Sequence, residues 1–291
     1  MKKASYKVLF KLIALIPLKI SYFFSRIIGA YLFYLNAKSA NITKINLTKA
    51  FPHKNNDEIE ALTKNSLIES AKVFFENSKV WFSNSFFDKN ISIEVDGLNL
   101  IKESLALEKG LILFTPHLGN IEILIKYLTQ EFKCSIPYTK VKHNALENLI
   151  YSARKDMGAN MVEANLSGVK SLLKSIKNKE VVAIASDQVP DVKGGYVTKF
   201  FNSDSLTMTL VANLVIKTNS PCHSMMCIRG QEASHFKISF SKILQGLNKS
   251  LPLGANSMNR ELEKCIMLAP EQYAWEYKKY KHASKENPYI Y

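Results

Sequence analysis

Several signatures of common functional classes are missing from this 291-residue chain. It has no HExxH zinc motif, no phosphate-binding P-loop and no GxGxxG fingerprint, so metal, nucleotide and dinucleotide sites have no motif to support them. The four cysteines form no CxxC pair and have no histidine ligand set nearby, which argues against a zinc site or a disulfide framework. We expect reduced cysteines in the core of a protein that faces the cytosol. They are Cys134, Cys222, Cys227 and Cys265.

Arginine is scarce: only four of the 39 basic residues are arginine, in a chain of net charge +14. Scattered lysine is typical of a solvated surface. The excess of positive charge also favours an anionic membrane surface, a phosphorylated acceptor or an acidic carrier protein. No dense basic run or basic-aromatic motif is present, so we do not expect nucleic acid as a partner.

No uncharged run reaches the 18 or so residues expected of a spanning helix. The segment from Val8 to Leu35 is nevertheless strongly apolar and aromatic. Lys11, Lys19 and Arg26 interrupt it and fall within about 80° of each other on a helical wheel, which predicts an amphipathic helix with a kink at Pro17. It lacks the features of a secretory signal peptide. A helix buried in the main domain is the alternative, but we favour an interfacial anchor on the cytoplasmic leaflet.

Between Gly110 and Leu124, strand, turn and helix signals follow one another. Leu111 to Phe114 is a short apolar run that predicts a buried strand, and Pro116 ends it because proline cannot donate a ladder hydrogen bond. Apolar residues at helical spacing begin at Ile121. The turn between strand and helix therefore lies at the carboxyl end of the strand, where open α/β sheets carry their catalytic groups.

Two titratable residues occupy this turn and the start of the helix, His117 and Glu122. With His117 in the turn, its ring can fold back onto the Glu122 carboxylate. That contact would fix one imidazole tautomer and raise the basicity of the other nitrogen, so His117 would be a general base for a hydroxyl. From the spacing alone, a histidine that caps the helix remains the alternative.

The pattern His117-x-Gly119-Asn120-x-Glu122 after a hydrophobic strand resembles the late (secondary) acyltransferases of lipid A biosynthesis. They are the branch of the glycerolipid acyltransferases with Glu where the other branch has Asp. Four further blocks follow the family's pattern: Asn46-Leu47 with Phe51-Pro52, Arg154 to Gly158, Asp187 to Pro190 with Phe200-Phe201, and Pro270 to Trp275. One departure is Asn202, which stands where a glycine usually follows the two phenylalanines.

Arg154 and Asp187 are candidates on their own chemistry as well. In a chain that uses lysine almost everywhere, an arginine in a predicted helix indicates a need for planar, bidentate geometry. Asp187 follows the apolar strand predicted over Val181 to Ser186, again at the carboxyl edge of the sheet. A surface arginine and a turn-forming aspartate are the alternatives. The resemblance favours a phosphate-binding or oxyanion-stabilising role for Arg154.

The resemblance implies an α/β fold with a central, mostly parallel β-sheet flanked by helices, similar to glycerol-3-phosphate acyltransferase, and an N-terminal hydrophobic helix. We divide the chain into an N-terminal membrane-anchoring helix (1–38) and an acyltransferase catalytic domain (39–291). After a further strand predicted over Cys134 to Thr139, a loop carries Lys140, Lys142 and His143, where an anionic substrate group could bind.

The family implies a membrane-bound O-acyltransferase on the cytoplasmic face of the bacterial inner membrane. It would move a fatty acyl chain from an acyl carrier protein thioester to a hydroxyl of a lipid A precursor, a phosphorylated glycolipid. His117 would take the hydroxyl proton and Glu122 would orient it. The residues expected to contact substrate or shape the site are Asn120, Arg154, Asp187 and Gln188. No cofactor and no metal are implied.

Two alternatives remain at this stage. One is the same reaction on another membrane lipid, such as a lysophospholipid, an aminolipid or a mannosylated lipid, with acyl-CoA as a donor. The other is a non-catalytic peripheral membrane protein that binds lipid through its basic, aromatic N-terminus.

Overall fold

The computed structural model describes residues 2–83, 86–139, 145–281 and 291. Its α-helices are α1 (Lys2–Leu15), α2 (Leu18–Tyr34), α3 (Lys38–Ala50), α4 (Asn56–Phe82), α5 (Leu98–Ala106), α6 (Ile121–Glu131), α7 (Ala145–Asp156), α8 (Leu166–Lys177), α9 (Leu210–Thr218) and α10 (Leu251–Met267). The strands are β1 (Ser92–Asp96), β2 (Leu111–Thr115), β3 (Cys134–Tyr138), β4 (Asn160–Glu163), β5 (Val181–Ala185), β6 (Gly195–Phe200), β7 (Ser203–Met208), β8 (Cys222–Arg229) and β9 (His235–Phe240).

Seven of these strands form one sheet in the order β1-β9-β8-β2-β5-β3-β4. Every neighbouring pair is parallel except β8 and β9, which are antiparallel. The uninterrupted apolar runs of β2 and β5 lie side by side at the centre and are covered on both faces, as parallel strands require. The predicted α/β fold with a mostly parallel sheet is confirmed. The four cysteines are buried free thiols.

A second sheet, the hairpin β6–β7, follows β5 in the chain and carries the Phe200-Phe201 pair at its turn. Its turn places Phe201 at φ +46° and Asn202 at φ +62°, both in the left-handed region. Glycine is the usual residue there because it lacks a Cβ, and asparagine is among the few others that adopt this conformation readily. Asn202 can therefore make the turn in which the related family uses glycine.

The N-terminal segment forms two helices instead of the single kinked helix predicted. α1 and α2 meet at Pro17 with a bend of 114°. Lys11 lies on α1 while Lys19 and Arg26 lie on α2, so the three cations do not share one helical stripe. α2 packs closely on α4: a Cβ added to Gly29 would lie 2.5 Å from the backbone nitrogen of Ile68.

Over the described residues, the length and apolarity needed to cross a membrane are reached by none of the helices taken singly. The bent pair Tyr6–Leu15 and Leu18–Tyr34 reaches them jointly, by length and composition. Large apolar side chains on this pair are turned to solvent and form what we call the N-terminal apolar face. It comprises Val8, Leu9, Leu12, Leu15, Ile20, Phe23, Phe24, Ile27, Ile28, Tyr31 and Tyr34.

Candidate active site

The two central strands bring His117 and Asp187 together at the carboxyl edge of the sheet. β2 and β5 pair in register, with Thr115 opposite Ala185. His117 and Asp187 each follow two residues beyond these ends, so the register places them opposite each other. The backbone N–H of Ser186 donates to the Thr115 carbonyl at 3.0 Å and continues the pairing into the loops.

The Asp187 carboxylate holds His117 at two points. One oxygen is 2.7 Å from His117 Nδ1, and the other accepts from the His117 backbone N–H at 3.0 Å. Burial alone would raise the pKa of Asp187, but the histidine beside it brings the pKa down to about 2. An ionised carboxylate can only accept, so Nδ1 carries the hydrogen and Nε2 is left as the basic ring nitrogen.

The same pair also determines the basicity of the imidazole. Burial works to lower the pKa of His117, but the negative charge of Asp187 outweighs it and raises that pKa above its ordinary value. The charge on Glu122 acts in the same direction, as a smaller effect. His117 is therefore a stronger base than a free histidine, and its ring orientation is fixed.

Glu122 does not make the direct contact with His117 that the spacing predicted. Its carboxylate accepts from Arg154 Nη2 at 2.6 Å, from Arg154 Nε at 3.1 Å and from Trp81 Nε1 at 3.0 Å. The reason is geometric: Asp187, on the neighbouring strand end, already occupies Nδ1, while α7 brings Arg154 to the start of α6. The partner predicted for the ring is thus corrected from Glu122 to Asp187.

The Arg154 side chain is largely buried and forms an ion pair with Glu122. Burial works to lower the pKa of its guanidinium, but Glu122 raises that pKa further above its ordinary value, so the charge is retained. The surface-arginine alternative does not hold, because the side chain is only 22% exposed and is bound to Glu122.

Asn120 is buried and has no exposed surface, in contrast to its predicted contact with substrate. Its side-chain oxygen Oδ1 accepts from the Ile123 N–H at 2.9 Å and caps α6, and its side-chain Nδ2 donates to the Glu76 carboxylate at 2.8 Å. Because the side-chain oxygen and an amide N–H are both bound within the protein, the geometry supports a structural role for Asn120 at the start of α6.

Glu76 belongs to a buried ionic cluster behind the site. Both of its oxygens accept from the guanidinium of Arg229, at 2.5 and 2.7 Å. Tyr22 on α2 donates to the same carboxylate, and Glu69 on α4 accepts from a further Arg229 nitrogen. The cluster joins α2, α4 and β8 to the capping residue of α6.

The closing Pro-Glu-Gln-Tyr-x-Trp block holds the His117 turn from the other side. The Ala274 N–H donates to the His117 carbonyl at 3.0 Å, and the Gly119 N–H donates to the Gln272 carbonyl at 2.9 Å. Gly119 has φ +59°, and a Cβ there would lie 2.0 Å from the Cys227 carbonyl oxygen. Only glycine fits at this position, because the β8 backbone at Cys227 leaves no room for a Cβ.

Two further groups lie behind Asp187. Lys279 is buried, donates from Nζ to the Asp187 backbone carbonyl at 2.6 Å and lies over the Phe200 ring. Burial lowers the pKa of Lys279 to about 8. Burial and the neighbouring Asp187 together raise the pKa of the Tyr273 hydroxyl.

His117 borders two cavities. The first, of about 350 Å³, runs between the sheet and helices α6 and α7 and is mainly apolar. Arg154 and Gln188 line it, and Gln188 itself is exposed at its mouth. Its apolar lining comprises Ile121, Leu124, Ile125, Leu128, Ile136, Pro137, Ile150, Ala183, Ile184, Ala185, Met208, Leu210 and Met225. The second cavity, of about 240 Å³, lies on the α4 side of His117.

Five of the six predicted site residues meet around the His117 turn, and Gln188 adjoins it. Lys140, Lys142 and His143 lie outside the described residues. The sequence patterns did not indicate a role at the site for Trp81, Glu76 or Arg229. Arg229 had a visible signal, because the scarcity of arginine that drew attention to Arg154 applies equally to it. Trp81 and Glu76 sit on a long helix whose contacts the sequence does not reveal.

The geometry supplies a fixed, basic imidazole nitrogen beside an apolar cavity and a guanidinium. That set can take a proton from a hydroxyl and stabilise negative charge developing close by. Within the described part of the chain, no three His, Cys, Asp or Glu side chains come together in a way that could hold a metal ion.

Comparison with known proteins agrees with this chemistry. The pattern of the family described as "Bacterial lipid A biosynthesis acyltransferase" matches residues 5–282. The chain is 21% identical over 271 residues to the lipid A biosynthesis palmitoleoyltransferase of Escherichia coli (strain K12), covering 91% of this chain and 86% of that protein. It is 22% identical over 251 residues to the lauroyltransferase of the same organism, covering 84% and 79%.

A third relative is the lipid A biosynthesis acyltransferase of Haemophilus influenzae (strain ATCC 51907 / DSM 11121 / KW20 / Rd), 22% identical over 265 residues, which are 91% of this chain and 82% of that protein. The match to the family extends over nearly the whole chain, from α1 to the end of the C-terminal block. The chain therefore belongs to the bacterial lipid A biosynthesis acyltransferase family and is an acyltransferase.

Proposed function

We propose that this acyltransferase moves a fatty acyl chain from an acyl carrier protein thioester to a hydroxyl of a lipid A precursor, with His117 as the general base. The observation that carries the proposal is the Asp187–His117 pair. It holds Nδ1 at 2.7 Å and leaves Nε2 as the available base at the edge of an apolar cavity. The names of the relatives support the acceptor class.

The proposed step needs no covalent acyl-enzyme. His117 Nε2 takes the proton of the acceptor hydroxyl while its oxygen attacks the thioester carbonyl carbon. The carbon–sulfur bond of the tetrahedral intermediate then breaks, the ester forms, and the proton on Nε2 passes to the departing thiolate. Asp187 stabilises the imidazolium between these two transfers.

In this proposal Glu122 acts through Arg154. The carboxylate orients the guanidinium at 2.6 Å, and its charge adds to the basicity of His117. Arg154 then faces the developing oxyanion or a phosphate of the acceptor. Asn120 acts as a positioning residue that caps α6, and Gln188 is placed to contact substrate at the cavity mouth.

The acyl chain would occupy the apolar cavity, whose volume of about 350 Å³ falls in the range of about 300–1,000 Å³ typical of small-molecule sites. The net charge of +14 suits an acidic carrier protein and a phosphorylated glycolipid. The N-terminal apolar face and its exposed cations suit the cytoplasmic face of the bacterial inner membrane.

A transfer assay tests the function. Detergent-extracted protein is given an acyl carrier protein thioester, or acyl-CoA in a parallel series, with a tetra-acylated lipid A precursor as acceptor. We expect the acceptor to gain the mass of one acyl chain with the carrier-protein donor. The rate should fall by about 10²–10⁴-fold in His117→Ala, because the base is lost. We expect a clear loss of transfer in Glu122→Ala as well.

Replacement of the exposed His53 by alanine is the matched control and should leave the rate unchanged. Intact thioester with every donor would overturn the proposal. Transfer to a lysophospholipid, but not to the lipid A precursor, would move the assignment to that acceptor.

A further inference from the structure

The proposed reaction assigns no occupant to the second cavity beside His117. It encloses about 240 Å³ between α4, the start of α6 and the C-terminal block. Most of its lining residues carry polar groups. The lining comprises Ser70, Val73, Asn77, Trp81, His117, Gly119, Ile121, Glu122, Ile150, Arg154, Gln272, Ala274 and Glu276.

Two residues of this lining carry hydrogen-bond acceptors that can take a further donor. Asn77 Oδ1 is buried and has no partner among the described residues. The Glu276 carboxylate accepts from the Ser70 hydroxyl at 3.1 and 3.2 Å and forms no ion pair within the part of the chain that the structure describes. A buried acceptor without a donor, such as Asn77 Oδ1, is rare in folded proteins and indicates an absent donor. This cavity therefore fits a ligand that carries O–H or N–H groups.

The cavity shares two lining residues with a cleft that lies next to the N-terminal apolar face. Ser70 and Glu276 also line a neighbouring apolar cleft of about 350 Å³ between α2 and α4. The other side chains of that cleft are Ile28, Leu32, Ser39, Leu67, Ala71, Phe74 and Phe75. Ile28 and Phe74 are 40% and 45% exposed, so the cleft opens onto the surface that carries the N-terminal apolar face. Ser70 and Glu276, hydrogen-bonded to each other, are thus the shared wall between this cleft and the cavity at His117.

We infer that the lipid acceptor reaches His117 from the α4 side, past Ser70 and Glu276, opposite to the donor's acyl chain. The inference rests on the proposed function. A hydrocarbon chain of the acceptor occupies the α2–α4 cleft, and its hydroxyl and amide N–H groups donate to Asn77 Oδ1 and the Glu276 carboxylate. The reacting hydroxyl then faces His117 Nε2. Asn77 and Glu276 are accordingly positioning residues for the acceptor, and Met208 in the other cavity contacts the donor chain.

Steady-state kinetics with each substrate varied in turn separates the two sides. In Asn77→Ala and Glu276→Gln, we expect the KM for the lipid A precursor to rise about tenfold while the KM for the acyl carrier protein thioester changes less than twofold. Met208→Ala should change the donor KM instead. Glu131→Gln, at the exposed end of α6, is the matched control and should change neither constant.

A binding measurement gives a second readout that does not depend on turnover. Trp81 lines the cavity, so we expect a precursor analogue without the reacting hydroxyl, in mixed micelles, to change the tryptophan fluorescence of the wild type. The titration midpoint should move to about tenfold higher analogue concentration in Asn77→Ala and in Glu276→Gln. A midpoint that is the same in wild type, Asn77→Ala and Glu276→Gln overturns the inference.

The kinetic outcomes keep the two proposals apart. If the wild type is active and Asn77→Ala and Glu276→Gln raise only the donor KM, the two substrates lie on the opposite sides. That result overturns the inference, while the proposed function stands. Wild type that transfers to no acceptor overturns the proposed function. The fluorescence titration still decides whether the second cavity, beside α4, binds the lipid.

Discussion

At the scale of single residues, the chemistry depends on which carboxylate touches the imidazole. Asp187 accepts from both Nδ1 and the backbone N–H of His117, so one side chain fixes the tautomer, the ring angle and the turn. Glu122 is bound to Arg154 and Trp81 instead. Two carboxylates near one histidine thus have different tasks: one holds the base and the other holds a guanidinium.

Asp187→Asn should reveal this division in the pH dependence. The carboxylate raises the pKa of His117, so its removal lowers that pKa, and the basic form persists to lower pH. We expect the acidic limb of kcat/KM to move to lower pH. The maximal rate should fall by about 10²–10⁴-fold, because the tautomer is no longer fixed.

Asp191→Asn, an exposed aspartate in the same loop, is the matched control for the pH profile. An acidic limb that stays in place in Asp187→Asn, or that moves equally in Asp191→Asn, would show that Asp187 does not determine the basicity of His117.

At the scale of secondary-structure elements, α4 connects the N-terminal helices to the site. Gly29 allows α2 to lie directly against it, and Glu76 in its last third binds Tyr22, Arg229 and Asn120. Through Asn120, the cluster reaches the first turn of α6, next to His117. The N-terminal helices are in this way part of the packing that supports the active site, and their division from residues 39–291 remains a prediction.

Glu76→Gln should therefore destabilise the fold strongly. Among the described residues, the substitution leaves Glu69 as the one carboxylate partner of the buried Arg229 charge, and breaking a buried pair costs about 3–5 kcal/mol. Urea unfolding in detergent measures the loss in the free energy of unfolding. Glu60→Gln on the same helix removes a half-exposed ion pair and should cost less than about 1 kcal/mol. Equal losses in the two variants would contradict a structural role for the cluster.

At the scale of the whole molecule, apolar surface and positive charge occur together at the N-terminus. Phe23, Ile27 and Tyr31 on α2 are each more than half exposed, and Arg26 lies among them. A soluble protein rarely exposes a continuous apolar patch of this extent unless it binds something there. The expected partner is the boundary between headgroups and acyl chains.

The double variant Phe23→Ser/Ile27→Ser should weaken binding to anionic vesicles by more than tenfold, because burial of each side chain is worth about 1.5–3 kcal/mol. Sedimentation with vesicles measures the bound fraction. Binding of the wild type should also fall with added salt, since part of the attraction is electrostatic. Val197→Ser, on the exposed hairpin β6–β7, is the matched control. A comparable loss in the control would place the membrane contact elsewhere.

Local patterns in the sequence were enough to predict the central strands, the turns that follow them and the family. Apolar runs located β2 and β5, proline and glycine located the turns after them, and the carboxyl-end rule placed His117 and Asp187 at the active edge. The ordered blocks indicated the family to which the chain belongs. These features can be predicted from the sequence because strand and turn preferences depend on residues close together in the chain.

Only the tertiary structure decided which groups meet. His117 pairs with Asp187, 70 residues away, because β2 and β5 are in-register neighbours, and no local pattern encodes that adjacency. The same holds for the Glu76–Arg229 pair, formed between α4 and β8. Spacing along the chain favoured Glu122 as the partner of the ring because sequence distance was the only distance available. The fold replaced it with the carboxylate that is nearest in space.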